Sequence, residues 1–244
     1  MGTAEREREL AARLVAVRAR IDEACVAAGR APGSVGLLAV TKTIPAADVA
    51  LLLDLGLDTF GENRVQEAGV KVAEVAELRP GAKPKWFFIG GLQRNKAKAV
   101  ARWADRVESV DSVRLADALD DAAQRAQDTG ERLAPLPVLL QYSVDGDPRR
   151  GGVPRTDLLR VAEHVAGCAG LRLDGLMAVA PLESDPDSAF AEVAKAAEEL
   201  RAAYPQATTI SAGMSNDLEV AIRHGSDVVR VGTALVGERP LTSR

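Results

Sequence analysis

From residue 36 onward, two hydrophobic rhythms alternate along the chain. Short unbroken apolar runs recur, and each is followed by a longer stretch with apolar residues three and four apart. An unbroken run bounded by turn residues reads as a strand buried on both faces, and spacing of three and four reads as an amphipathic helix. Strands are therefore expected at 36–41, 58–61, 86–89, 106–110, 138–142, within 171–179, at 208–211 and at 228–231. Helices are expected at 46–55, 64–78, about 95–103, 112–127, up to about 166, at 187–203 and at about 216–224, with a short closing segment at 233–236. Gly56 and Gly225 punctuate helix ends, while Thr129, Gly130, Pro135 and Pro137 mark a loop ahead of the fifth strand. Ahead of this series, residues 4–29 form one long amphipathic pattern with Leu10, Leu14, Val17 and Ile21 on a single stripe. Gly29 suits its C-terminal cap, and Pro32 prevents continuation.

Eight strand-then-helix units with short connections imply a parallel sheet with right-handed crossovers. In 244 residues they close most naturally into a single (β/α)8 TIM barrel. The alternative, a doubly wound open sheet, wants a glycine-rich fingerprint after its first strand, and Thr41-Lys42-Thr43-Ile44-Pro45 is unlike one. The expectation is one domain over 1–244, with the barrel at about 34–240 and the extra N-terminal helix packed across its bottom or side.

Composition narrows the chemistry. Hydrophobic residues make up 47% and aromatic residues 3%, so the core is built from Ala, Val and Leu. A net charge of −4 argues against non-specific nucleic-acid binding. The charged N-terminus lacks the apolar region of a signal peptide, and no apolar run approaches the length of a membrane span. A cytoplasmic location is expected. Cys25 and Cys168 lie in helical contexts without metal-ligand spacing and read as buried thiols of a reducing compartment. His164 and His224 have no ligand cluster near them in sequence and read as structural or surface residues.

In a barrel of this kind, active sites gather at the C-terminal ends of the strands. Of seven lysines, only Lys42 stands directly after an apolar run, Leu37-Leu38-Ala39-Val40. A lysine in a dry site loses its proton readily and attacks carbonyls as a Schiff base; the alternative is a side chain that snorkels from the strand end into water. Gly61-Glu62-Asn63, Gly90-Gly91 and Met177 occupy the same end of other units. After strands seven and eight, Ser211-Ala212-Gly213-Met214-Ser215 and Arg230-Val231-Gly232-Thr233 place glycine beside hydroxyl residues. Such loops let backbone N–H groups approach an anion, so a phosphate site is expected there. Ser215 also reads as a helix N-cap with Glu219 in the first turn. A barrel lysine near a phosphate cradle suits phosphosugar Schiff-base aldolases and pyridoxal-phosphate proteins alike.

The runs LLAVTKTIP, FGENRVQE, FFIGGLQRNK, GLMAVAP, SAGMSNDLEVAI and GSDVVRVGTALVGER resemble, in order and spacing, those of the pyridoxal-phosphate homeostasis proteins. These are related to the barrel domain of alanine racemase. The resemblance spans about residues 36 to 239. It implies pyridoxal 5′-phosphate held as an aldimine on Lys42, with phosphate contacts from Gly213, Met214 and Ser215, Ser211 nearby, and Gly232 and Thr233 completing the cradle. It places Arg230 against the pyridine nitrogen and Asn63 and Met177 along the ring. The chain departs from the family pattern at Arg64, where Tyr is common, at Phe87, where His is common, and at Gly91, where Pro is common. Arg150 stands where the loop after strand five often carries lysine, which keeps the charge but cannot form an aldimine.

A permanent cation beside the ring nitrogen disfavours its protonation and weakens the ring as an electron sink. The chain has no length for the racemase second domain. The resemblance therefore implies a regulator of vitamin B6 and amino-acid pools without dedicated catalysis, a monomer, with pyridoxal-phosphate-dependent apo-enzymes as candidate recipients of the cofactor. Two other readings stand beside it. A low-activity amino-acid racemase would need a base facing Lys42 across the ring, for which Tyr142 and His164 are the unassigned candidates. A partner-binding module switched by cofactor occupancy could use the charged N-terminal helix.

Overall fold

The structure, a computed structural model, describes residues 2–237. Met1, the last two residues of the final family-like run and the expected barrel end near 240 lie outside the described residues. Eight parallel strands close into a barrel in chain order, β1 pairing with β8. They are β1 Gly36–Val40, β2 Thr59–Glu62, β3 Lys85–Phe88, β4 Arg106–Val110, β5 Leu136–Tyr142, β6 Leu171–Ala178, β7 Thr209–Ser211 and β8 Val228–Val231. Between them run α2 Ala46–Asp54, α3 Val65–Leu78, α4 Ala97–Trp103, α5 Val113–Asp128, α6 Leu158–Ala166, α7 Pro186–Ala203 and α8 Leu218–Arg223. The four-residue α9, Thr233–Val236, follows β8. The expected (β/α)8 architecture is observed.

Residues alternate between two buried layers, as a period of two demands. Ala39, Phe60, Val229 and Val231 point outward into a core shared with the helices. The neighbouring positions face the lumen: a side chain added at Gly61 would meet Leu38 and Ile89. A strand apolar on both faces, such as β1, reads as a continuous run, whereas β2, β4 and β8 also bury Glu62, Glu108 and Arg230.

The first helix, α1 Thr3–Ala27, takes the side of the barrel, packed against α2, α8 and α9. Its buried stripe contains the expected Leu10, Leu14, Val17 and Ile21 together with Ala24 and Cys25. Gly29, with φ +70°, follows its cap in the left-handed conformation, where glycine carries no steric cost. Cys25 is buried, but Cys168 is only partly so, its thiol against the His164 carbonyl at 3.3 Å. Burial pushes that thiol up to about 11, which makes it a poor nucleophile at neutral pH.

The start of β5 and the regularity of β6 differ from expectation. β5 starts at Leu136 and takes in Pro137, which had read as loop. Its ladder to β4 begins at Val138, so the missing proline N–H falls ahead of that ladder. β6 contains a register shift against β5 beside Gly175. There φ is +150°, and a side-chain carbon would lie 1.9 Å from the Thr209 carbonyl oxygen. Only glycine lets β6 and β7 approach this closely.

Candidate functional site

Lys42 is exposed at the end of β1, in the turn Thr41–Ile44 closed by Ile44 N–H donating to the Thr41 carbonyl at 3.0 Å. Thr43 has φ +67°, the one non-glycine residue with positive φ among the described residues. A β-branched residue there is strained by about 1–3 kcal/mol, so the surroundings must hold the turn. They do so from below. Lys71 Nζ, on α3, donates to the Thr41 carbonyl and to Glu62 Oε1, each at 2.7 Å. The Thr41 hydroxyl donates to the same carboxylate oxygen at 2.7 Å. All three residues are buried.

Sequence reasoning missed this triad. Ala68, Lys71 and Val75 form the buried face of α3, so a lysine at core spacing was the available signal. Glu62 was noticed only as part of a glycine-containing loop.

Asn63 follows β2, and its Oδ1 is buried without a hydrogen-bond partner. Gly90 explains its position: a side-chain carbon at Gly90 would lie 2.4 Å from the Asn63 carbonyl oxygen. Gly91 meets no such constraint. Gly90→Ala is expected to cost about 1–3 kcal/mol by overpacking and to move Asn63 off the mouth. Urea unfolding measures the first effect; an unchanged midpoint would show that the loop yields freely.

Met177 on β6 and Ser211 on β7 are register partners, and both are buried. Ser211 is not free to face an anion. Its hydroxyl donates to Glu108 Oε2 on β4 at 2.7 Å. Gly213 has φ +92°, and a side-chain carbon there would sit 2.6 Å from Ala221 Cβ; its carbonyl accepts from Arg230 N–H at 2.9 Å, tying the loop to β8. Arg230 is buried. Its Nη1 donates to the Ser211 carbonyl at 2.5 Å and hydroxyl at 2.9 Å, and Nη2 to the Ala178 carbonyl at 2.7 Å. Gly232 precedes α9, and Thr233 opens it at the surface. The structure thus brings Arg230 and Ser211 into direct contact and places Gly213 beside them. Lys42, Asn63, Met177 and the loops holding Met214, Ser215, Gly232 and Thr233 stand at the same end of the barrel.

The N-cap expectation for Ser215 is corrected. α8 begins at Leu218 with Asp217 at its cap position. Asp217 Oδ1 accepts from Met214 N–H at 2.6 Å, which closes a turn over 214–217 and delays the helix. The Ser215 carbonyl instead accepts from Arg20 Nη1 of α1 at 2.6 Å, and the same guanidinium pairs with Glu219.

Neither unassigned base faces the mouth. Tyr142 is buried against the outer helices, its hydroxyl donating to Glu192 Oε1 of α7 at 3.3 Å. Burial and Glu192 push its phenol up to about 12. His164 on α6 meets Asp117 of α5 at 2.6 Å, and His224 pairs with Asp187. Both histidines serve helix-to-helix contacts. Arg150 lies on the rim, 3.3 Å from Asp145 and donating to the Val179 carbonyl at 3.0 Å.

An exposed amine, an unpartnered buried amide oxygen and a buried guanidinium at the strand ends fit a ligand with a carbonyl carbon, polar ring substituents and a ring nitrogen. The barrel that carries them is of one class: residues 13–240 match the alanine racemase N-terminal domain. The pyridoxal phosphate homeostasis protein of Mycobacterium tuberculosis is 47% identical, over 98% of this chain and 96% of that one. Its namesake in Escherichia coli is 38% identical, over 97% and 99%. PipY of Synechococcus elongatus, solved with pyridoxal phosphate bound, superposes with a TM-score of 0.78 at 33% identity, covering 93% of this chain and all of that one. The chain belongs to the pyridoxal phosphate homeostasis protein family. Among the described residues no helix is long and apolar enough to cross a membrane.

Proposed function

We propose that this chain binds pyridoxal 5′-phosphate covalently through the Lys42 amine and serves in intracellular vitamin B6 homeostasis without dedicated turnover of a substrate. The observation that carries the reading is an exposed lysine amine at the end of β1, beside the strand that bears the buried Arg230. The names and the bound cofactor of the relatives support it. When bound, pyridoxal phosphate supplies an electron-withdrawing ring whose strength depends on the protonation of its nitrogen.

By family correspondence Arg230 takes the place beside that nitrogen. A guanidinium keeps its charge at any working pH, so it holds off a proton there. Asn63 and Met177 line the ring. Gly213, Met214, Ser215, Gly232 and Thr233 form the phosphate cradle, with Ser211 behind them. The Tyr142 hydroxyl is turned toward Glu192 of α7, which disfavours the racemase reading. The cofactor is held and released to apo-enzymes, in the cytoplasm, by a monomer.

The test is the absorption spectrum of purified protein mixed with pyridoxal phosphate, beside Lys42→Ala. The wild type is expected to develop the visible band of a lysine-linked pyridoxal, and the variant to lose it. Absence of the band in the wild type would overturn the assignment. Sedimentation or size-exclusion chromatography checks the monomer.

A further inference from the structure

Below the strand ends, the lumen contains charges that the function above does not use. Glu108 on β4 is fully buried. Its Oε2 accepts from the Ser211 hydroxyl at 2.7 Å, and Ser211 Oγ accepts from Arg230 Nη1 at 2.9 Å. Oε1 has no hydrogen-bond partner. The only other charge bridged to Glu108 among the described residues is Arg106, 3.9 Å away and itself 3.7 Å from Asp174 of β6. A carboxylate therefore stands one hydroxyl behind the guanidinium proposed to face the cofactor ring.

The direction of these bonds is defined. Arg230 has only donors, so Ser211 Oγ must accept from it, and its single proton then goes to Glu108. A buried charge without a nearby countercharge is costly, so the carboxylate and the guanidinium stabilise each other through the serine. Burial pushes the Glu108 carboxyl upward, against the pull of Arg230, Ser211 and Arg106. Burial also pulls Arg230 downward, against Glu108 and Asp217.

We infer that Glu108 is a positioning residue for the cofactor: through Ser211 it fixes the Arg230 guanidinium and offsets its charge, and so sets the electrostatic potential at the bound ring. The inference rests on the pyridoxal phosphate reading above. Its consequence has a sign. Neutralising Glu108 removes the first of the two acidic groups that offset Arg230 and leaves Asp217. An added positive charge disfavours the protonated imine between Lys42 and the cofactor. The visible band that reports that protonated form must then disappear at lower pH.

The experiment is a pH titration of the visible band in pyridoxal-phosphate-saturated wild type, Glu108→Gln and Ser211→Ala, with circular dichroism of each. Glu108→Gln keeps the shape and the acceptor and loses the charge; its midpoint is expected to fall by about one pH unit. Ser211→Ala removes the only hydrogen bond to Glu108 among the described residues, which pushes the buried carboxyl further upward, and the midpoint is expected to fall in the same direction. This second variant decides if Glu108→Gln does not fold. A purely structural role would weaken binding without moving the midpoint. Wild-type midpoints in the folded variants overturn the inference, whereas a wild type that never gains the band overturns the cofactor reading itself.

Discussion

Lys71→Met is expected to destabilise the folded chain by about 3–5 kcal/mol, the cost of leaving a buried carboxylate without its partner. Glu62 is fully buried, 2.7 Å from the Lys71 ammonium, and its second oxygen already lacks a hydrogen bond. After the substitution only the Thr41 hydroxyl among the described residues remains to it. Glu62→Gln combined with Lys71→Met removes both charges and is expected to recover most of the loss, because a buried pair contributes little beyond a neutral replacement of similar shape. Urea denaturation of the wild type, Lys71→Met and the double variant measures this. A loss under about 1 kcal/mol in the single variant would mean that water screens the pair. The same substitution leaves the Thr41 carbonyl with only the Ile44 N–H among the described residues, so the strained turn beside Lys42 loses its tie to α3.

Gly175→Ala is expected to cost at least about 3 kcal/mol, combining overpacking with a backbone conformation that L-residues avoid. The clash at 1.9 Å is with the backbone of β7, so no side-chain rotation relieves it. β7 has to move, and two residues beyond Gly175 the pair Met177–Ser211 moves with it. Thermal unfolding and the cofactor titration should therefore change together. A variant with wild-type unfolding temperature would show that β7 shifts at no cost.

Much of the fold was legible because most strand positions are apolar toward both the lumen and the helices. Runs such as Val138-Leu139-Leu140 carry no ambiguity of face. The strand-end position of Lys42 and the glycines around Gly213 were legible for the same reason, since their neighbours mark where each strand stops. The missed features share a different cause. The Thr41–Glu62–Lys71 clamp and the Ser211–Glu108 bond join residues from separate units, the latter 103 positions apart. Read alone, Thr41, Glu108 and Ser211 are strand residues and Lys71 a helix residue, and nothing local names the partner of any of them. Ser215 misled for a local reason: the Asp217 carboxylate, two positions later, accepts from Met214 N–H and closes a turn over 214–217, so the helix starts only at Leu218.

The seat of α1 bears on how the site comes into being during synthesis. Arg20 grips the Ser215 carbonyl from 195 positions away, and β1, with Lys42 at its end, finds its neighbour β8 only after nearly the whole chain exists. The ribosome releases these partners in the wrong order for early assembly. While the nascent chain emerges, Lys42 is an ordinary amine without Arg230 or the loop after β7 beside it. Long-range closure of this kind comes last and is slow. The residues proposed to hold the cofactor therefore come together only once β8 has been made, and a product truncated before β8 would carry Lys42 without Arg230.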